Sequence, residues 1–231
     1  MERVVEVEWL DELPASDSRA SRSRRDLRRI NALMGNASLV TASLRQAKDA
    51  GEIHYLAELG AGDGSFALSL ARRLSSVAQL REVTLVDQTA FANGSARGEF
   101  AKLGCALKVI QADVFDWLAG ARAVDVIVAN LFLHHFEHEP LQKLLHLAAS
   151  RSRVFIACEP RRSSMSLAGS RLLGLIGCND VTRHDAVVSV RAGFSGRELS
   201  MHWPKHREWI LEERSAGVFS HLFVARRAAS P

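Results

Sequence analysis

The residues best placed to do chemistry fall in one short run, Glu58-Leu59-Gly60-Ala61-Gly62-Asp63-Gly64. An apolar stretch that reads as a strand, His54–Leu59, precedes it, and Ser65–Leu74 reads as the helix that follows. Glycines at a strand-to-helix junction let a ligand approach the backbone closely, because glycine has no Cβ. Two ligand classes compete for such a place. A dinucleotide wants the spacing G-x-G-x-x-G, with its pyrophosphate at the helix N-terminus. Here Gly60, Gly62 and Gly64 are spaced G-x-G-x-G, and Ser65 holds the third dinucleotide position. Glu58 and Asp63 also bring two carboxylates into the loop. Negative charge there repels a pyrophosphate and suits a ligand with a sulfonium and an α-amino group.

Two further acids fall at the ends of the next predicted strands. Asp87 closes Val83–Val86, with Gln88 beside it, and a carboxylate at that tip can accept both hydroxyls of a ribose. Asp113, in Ala112-Asp113-Val114, can accept a hydrogen bond from an adenine amino group while Val114 packs on the ring. The other reading of Asp113 is a helix N-cap. Taken in order, ELGAGDG, LVDQT, ADVFDWL and the apolar strand ending at Asn130 resemble the class I S-adenosylmethionine-dependent methyltransferases, over roughly residues 53–160. The resemblance implies S-adenosyl-L-methionine as methyl donor and S-adenosylhomocysteine as product. It implies Glu58, Gly60, Gly62 and Gly64 around the methionine part, with Asp63 in the same loop. It also implies Asp87 and Gln88 at the ribose, Asp113 and Val114 at the adenine, and Asn130 at the edge of the donor site.

The acceptor has to meet the run Asn130-Leu131-Phe132-Leu133-His134-His135-Phe136. Nucleic-acid amino-methylating relatives carry an acidic or Asn residue followed by Pro-Pro-aromatic at this place, and this chain has no proline there, so DNA adenine or cytosine-N4 methylation is not expected. The run is more similar to small-molecule methyltransferases. His134 and His135 are candidate general bases, because histidine titrates near neutrality; alternatively one packs on the donor and the other caps the next helix. His184 is a third candidate, or simply a first-turn helix residue, and Asp185 reads as a cap. Arg161 either binds an acidic or phenolate acceptor or is solvated. Met165, Leu167, Leu172, Leu173, Leu175 and Ile176 line an acceptor pocket or belong to the core, and Trp203 and Trp209 are equally open.

The elements that must position these residues alternate. After the first strand and helix come Glu82–Val86 (strand), Phe91–Leu103 (helix), Leu107–Ile110 (strand) and a helical turn at Phe115–Leu118. Val124–Ala129 and Val154–Cys158 are continuous apolar strands flanking the helix Glu139–Ala149. Such runs suit a parallel sheet buried on both faces. Ser164–Ile176 reads as one apolar helix. Thr182-Arg183-His184-Asp185 has capping-box form and opens a helix that Gly193 stops. Glu208–Glu213 and Phe219–Ala225 read as a hairpin turning at Ala216-Gly217. The expected fold is therefore α/β and Rossmann-like. It is a doubly wound, mostly parallel seven-stranded sheet with an antiparallel C-terminal hairpin, the strand number coming from the resemblance.

Residues 1–50 are expected to form an N-terminal helical extension that lids the methyltransferase domain at 51–231. Residues 1–20 are polar and read as loosely ordered. From Ser23 a helix carries the apolar stripe Leu27, Ile30, Leu33/Met34, ends at Gly35-Asn36, and is followed by a second helix through Leu39, Val40 and Leu44. The chain has 231 residues and a formal charge of +4. The excess sits at Arg19, Arg22, Arg24, Arg25, Arg28 and Arg29, either a solvated helix face or a docking surface. The 3 cysteines have no metal-type spacing, so no metal and no disulfide framework is expected. Without a signal segment or membrane span, a cytoplasmic protein is expected, as monomer or homodimer. The expected activity is O-methylation of a small hydrophobic phenol, quinol or polyketide-like acceptor. Its rivals are an RNA or protein methyltransferase docking through the arginine-rich helix, and a scaffold that binds S-adenosylmethionine without catalysis. The arginines lack interleaved aromatics to stack on bases, which argues against nucleic acid.

Overall fold

The computed structural model describes residues 1–14, 16–47, 51–76, 78–89, 94–204 and 207–228. Its strands are β1 (Tyr55–Leu59), β2 (Glu82–Asp87), β3 (Ala106–Gln111), β4 (Val124–Asn130), β5 (Ser152–Pro160), β6 (Trp209–Ala216) and β7 (Ser220–Arg227). They form one 7-stranded sheet in the order β3-β2-β1-β4-β5-β7-β6. β1 to β5 pair in parallel, whereas β7 runs antiparallel to both β5 and β6. The expected hairpin is present, with Gly217 at φ 70° in its turn.

The strands are continuously apolar because helices cover both faces. In β4, Val126 and Val128 join the core on one face, and Ile127 and Ala129 join the other. Phe155 and Ala157 of β5 point to the second face, and Val154, Ile156 and Cys158 to the first. This is the two-residue period of a pleated strand with no polar side to leave in water.

The helices are α1 (Trp9–Glu12), α2 (Ser18–Met34), α3 (Asn36–Gln46), α4 (Ser65–Leu74), α5 (Gly94–Lys102), α6 (Val114–Gly120), α7 (His138–Arg151), α8 (Ser164–Arg171), α9 (Asp180–Ala192) and α10 (Glu198–His202). The predicted start of α5 at Phe91 lies outside the described residues. Gly35, at φ 67°, breaks α2 from α3. Trp203 is fully buried against Phe155, Phe223 and Trp209, so it belongs to the core. All three cysteines, Cys105, Cys158 and Cys178, are free. No helix among the described residues is long and apolar enough to cross a membrane.

Four elements differ from the expectation. The helix predicted over Ser164–Ile176 breaks at Leu172 into α8 and a single 3-10 turn, Leu173–Ile176. α9 starts at Asp180, not after Thr182, because the Asn179 side chain accepts the Thr182 N–H at 2.9 Å and takes the cap. Residues 1–12 are docked, not loose: Val4 donates to the Arg191 carbonyl, and Arg3 donates to the carbonyls of Ala192, His134 and Phe136. Finally, α3 is no separable extension. Its Val40 and Leu44 are buried in the same core as Leu56, Phe66 and Leu70.

That last point has a measurable consequence. Leu44→Ala should lower the unfolding free energy by about 2–5 kcal/mol, the usual cost of a buried Leu→Ala cavity. Denaturant titration reads it directly, and a loss under about 0.5 kcal/mol, the range of surface substitutions, would take α3 out of the core.

Candidate active site

The carboxyl ends of β1, β2, β4 and β5 lie along one edge, and the strand order reverses between β1 and β4. An open α/β sheet holds its ligands in that crevice. The glycine loop turns there, with φ of 65°, 52° and 74° at Gly60, Gly62 and Gly64. The three glycines answer different demands. A Cβ on Gly60 would overlap the Phe132 ring, and one on Gly64 would press on Leu85. A Cβ on Gly62 would meet nothing within 4 Å. Gly60 and Gly62 therefore line the cavity, while Gly64 is a packing position behind it.

The acids around the glycine loop are held by backbone donors. Asp87 accepts the N–H of Gly62 and of Thr89, both at 2.8 Å, and so ties the loop to the tip of β2. Glu58 is buried and accepts the Ala67 N–H in the first turn of α4 at 3.1 Å. Burial, reinforced by the charges of Asp63 and Asp87, holds its carboxyl well above the usual range. Asp63 accepts the Ser65 N–H at 3.0 Å and pairs with Arg28 of α2 at 2.8 Å. Asp113 caps α6 through the Phe115 N–H at 2.8 Å and accepts from the Gln88 amide at 3.2 Å. Gln88, Ala112 and Val114 line the cavity; Asp113 stands just behind them.

The loop after β4 is organised by Glu159. Its fully buried carboxylate accepts the N–H of Phe132 at 3.0 Å, of Leu133 at 2.9 Å, and the Nδ1–H of His134 at 2.8 Å. These bonds hold Leu131 at φ 52°, a left-handed conformation that costs a non-glycine residue about 1–3 kcal/mol. On its other side His134 faces Glu8, with Nε2 3.4 Å from Oε1. Burial alone would lower the His134 pKa, but the two carboxylates outweigh it and raise it to about 9. His134 is thus protonated at neutral pH and has no lone pair to offer. The next residue is its opposite. Burial, then the charge on His134, pushes His135 down to about 4, so it is neutral. Its Nδ1 stands 3.7 Å from Asp11, whose carboxyl burial and the charges of Glu8 and Asp185 push up to about 6.

Asn130, also buried, joins a chain of side-chain bonds: Ser220 Oγ donates to Asn36, Asn36 to Asn130 at 2.9 Å, and Asn130 to Asn31 at 3.3 Å. It fixes α2 and α3 against the strand tips.

Glu8, Asp11, Glu58, Gly60 and Gly62 line one cavity of about 1000 Å³ together with the loop after β4. The structure brings His134, His135, Asn130, Asp63 and Asp87 to it and leaves His184 outside. His184 is stacked on Trp9 with ring centroids 3.8 Å apart, and it bonds to Asp185 at 3.0 Å. The reason is the docked N-terminus: Asp185 accepts the N–H groups of Trp9 and Leu10 at 2.8 and 3.0 Å, so it caps α1 and not its own helix. Arg161 likewise turns away, to the Gly217 carbonyl at 3.3 Å. Glu8, Asp11, Arg28 and Asn31 were not foreseen, since nothing local marks a residue that reaches the site only through tertiary docking. Glu159 carried one signal, its place at the end of β5. Glu8, His134 and His135 turn ligand-type atoms toward one another, all within 4.8 Å, but His134, bonded at both ring nitrogens and protonated, offers an ion no lone pair.

Residues 56–153 match a family model described as a methyltransferase domain. No curated protein matches the sequence. Among solved structures, an O-methyltransferase family protein from Burkholderia thailandensis superposes with a TM-score of 0.61 at 17% identity, covering 94% of this chain. The chain spans only 62% of that protein. The plantazolicin methyltransferase BamL, solved with a triazolic desmethylPZN analog and SAH, gives a TM-score of 0.67 at 12% identity, with 92% of each chain covered. The magnesium protoporphyrin IX methyltransferase ChlM from Synechocystis PCC 6803, with bound SAH, gives 0.54 at 13% identity, covering 95% of this chain and 91% of its own.

The Glu159–His134–Glu8 triad makes stability depend on pH. The folded pKa of His134, about 9, lies above its ordinary 6.5. Its contribution is therefore complete below 6.5 and lost as the pH rises through 9. Unfolding free energy should fall across that window in the unaltered chain and stay flatter in His134→Gln. Parallel slopes for the two proteins would mean that His134 is not held as a cation.

Proposed function

We propose, from the match of residues 56–153 to a methyltransferase-domain family model, that this chain is an S-adenosylmethionine-dependent methyltransferase that methylates a hydroxyl of a hydrophobic phenol, quinol or polyketide-like acceptor. The observation that carries the reading is the single cavity joining a glycine loop ringed by carboxylates to a neutral histidine. The donor end fits the proposed donor on three counts. Gly62 leaves open space where a side chain would stand, Glu58 is a buried carboxyl short of a cationic partner, and Asp87 keeps lone pairs free beyond its two backbone bonds. In this reading Glu58, Gly60, Gly62 and Asp63 hold the methionine part, with Gly64 shaping the turn behind them. Asp87 and Gln88 take the ribose, Val114 packs on the adenine, and Asp113 orients that edge.

When bound, the donor supplies a sulfonium methyl: the acceptor oxygen bonds to carbon as the carbon–sulfur bond breaks, and that electron pair returns to sulfur, leaving S-adenosylhomocysteine. His135 receives the acceptor's proton, since its ring is neutral, and Asp11 beside Nδ1 balances the imidazolium that forms. His134 does not act as the base; it fixes the ring next to it, and its charge adds to the burial that keeps His135 unprotonated. Holding donor and acceptor in line supplies several of the roughly 7–11 kcal/mol that orientation can contribute. Residues 8–13 and 24–34 close the cavity as a cover, with Arg28 latched on Asp63. The arginine run is split by this arrangement: Arg24 and Arg28 face the cavity and Arg19 pairs with Asp17. That division supports a small acceptor over an RNA docked on the helix.

Two measurements test the reading. Calorimetry with S-adenosylhomocysteine should show binding that Asp87→Ala weakens roughly 10- to 150-fold, the worth of bonds to an ionised acceptor. No binding by the unaltered chain would overturn the donor assignment, and full affinity in the variant would remove Asp87 from it. With an accepted phenol, His135→Ala should lower kcat by about 10²–10⁴ with little change in KM, the scale of a lost general base. His184→Ala should leave the rate intact.

A further inference from the structure

Helix α2 is mounted the opposite way round from an ordinary surface helix. Its buried positions are Ala20, Ser23 and Asp26, two of them polar. Ser23 receives a hydrogen bond from Thr182 Oγ1 at 2.9 Å, and Asp26 accepts the Asn179 N–H at 3.0 Å. The apolar stripe Leu27, Ile30, Leu33 and Met34 is turned into the cavity instead of the core, and Leu33 is 76% exposed. Across from it, the break at Leu172 presents Leu172, Leu173 and Ile176 to the same cavity. Leu172 and Ile176 are each 57% exposed. Amphipathic helices put such residues against protein, and apolar surface left open in a contiguous patch marks a place where something binds.

Resting on the methyl-transfer reading above, we propose that the seam between α2 and residues 172–176 is a slot for a long saturated chain carried by the acceptor, whose hydroxyl-bearing head reaches His135. Three observations commit the seam to this occupant. The apolar walls are continuous with the cavity that holds His135 and the glycine loop, so a ligand in the slot is tethered to the reacting end. The cavity, about 1000 Å³, is at the top of the roughly 300–1,000 Å³ range of small-molecule pockets, which leaves room for a second sizeable molecule beside a donor. The stripe from Leu27 to Met34 runs about 10 Å along the helix, and an extended chain gains roughly 1.2 Å per bond, so roughly eight carbons span it. The seven wall residues offer such a chain aliphatic side chains and no charge.

The test is a binding series with para-cresol, para-pentylphenol and para-nonylphenol, titrated into the protein with and without S-adenosylhomocysteine. Affinity should rise roughly two- to fourfold per added methylene, the yield of burying a CH₂ partly or fully. Replacing Leu27 and Ile30 together by Ser should flatten that rise, with the S-adenosylhomocysteine titration reporting whether each variant is folded. The series on the unaltered protein decides the matter even where a variant does not fold. Equal affinity for all three phenols with S-adenosylhomocysteine bound overturns the slot and leaves the methyl-transfer reading standing. A flat series in a protein that dimerises with concentration overturns it in favour of a second copy covering the seam. A steep series in a protein that does not bind S-adenosylhomocysteine keeps the slot and overturns the donor reading instead.

Discussion

A single buried carboxylate, that of Glu159, organises the reacting half of this molecule. A buried charge is tolerable only when hydrogen bonds and opposite charge replace the water it has lost. Glu159 gets its replacement from two backbone N–H groups and from His134. Each partner is thereby fixed. The backbone bonds hold the loop after β4 in the turn that places Leu131 at a positive φ and lays Phe132 against Gly60. The imidazolium in turn needs a second carboxylate, which draws in Glu8 and with it the whole N-terminal segment. His135 is neutral because it is buried, and the charge on its neighbour adds to that. The proposed base, the strained loop and the docked N-terminus all follow from one solvation requirement at the end of β5.

The glycine loop is the second fixed point, and it depends on the sheet in a different way. Asp87 at the tip of β2 bonds to the Gly62 N–H, and Glu58 at the tip of β1 bonds into α4. The loop shape is therefore set by strand ends that the parallel register already aligns, Leu59 opposite Val86. Burial holds the Glu58 carboxyl well above its usual range, and the charges of Asp63 and Asp87 add to that shift. A cationic ligand offsets both the lost solvation and the mutual repulsion of these carboxylates, which is the physical reason the proposed sulfonium donor suits this end of the cavity.

The parts that the sequence made legible are those where local pattern and global fold agree. Continuous apolar strands, the glycine loop and the acids at strand tips are each written within a few residues, because parallel strands align their ends without help from distant segments. Even so, the glycines were read as one set although they divide into Gly60 and Gly62 at the cavity and Gly64 against Leu85. What stayed illegible depends on docking across long separations. His184 and Asp185 looked like a self-contained helix start, yet Asn179 supplies that cap and Asp185 serves Trp9 and Leu10, about 175 residues away in sequence. Glu8 and Asp11 lie in a segment whose scattered charges read as solvent-facing, and only tertiary contact turns them toward His134 and His135.

Helix α2 is the sharpest case, because its pattern is legible in the sequence and its orientation is not. Periodicity identifies an apolar stripe but not what the stripe faces. The default partner is the core, since burial of apolar area is what usually docks a helix. Here Ser23 and Asp26 make the docking contacts through hydrogen bonds to α9: Ser23 to the buried Thr182 hydroxyl and Asp26 to the Asn179 N–H. Once polar pairing holds the helix, its apolar residues are released from structural duty. A protein that folds its own leucines inward has little reason to leave Leu33 in the open, and one that must hold an apolar ligand has a direct reason to.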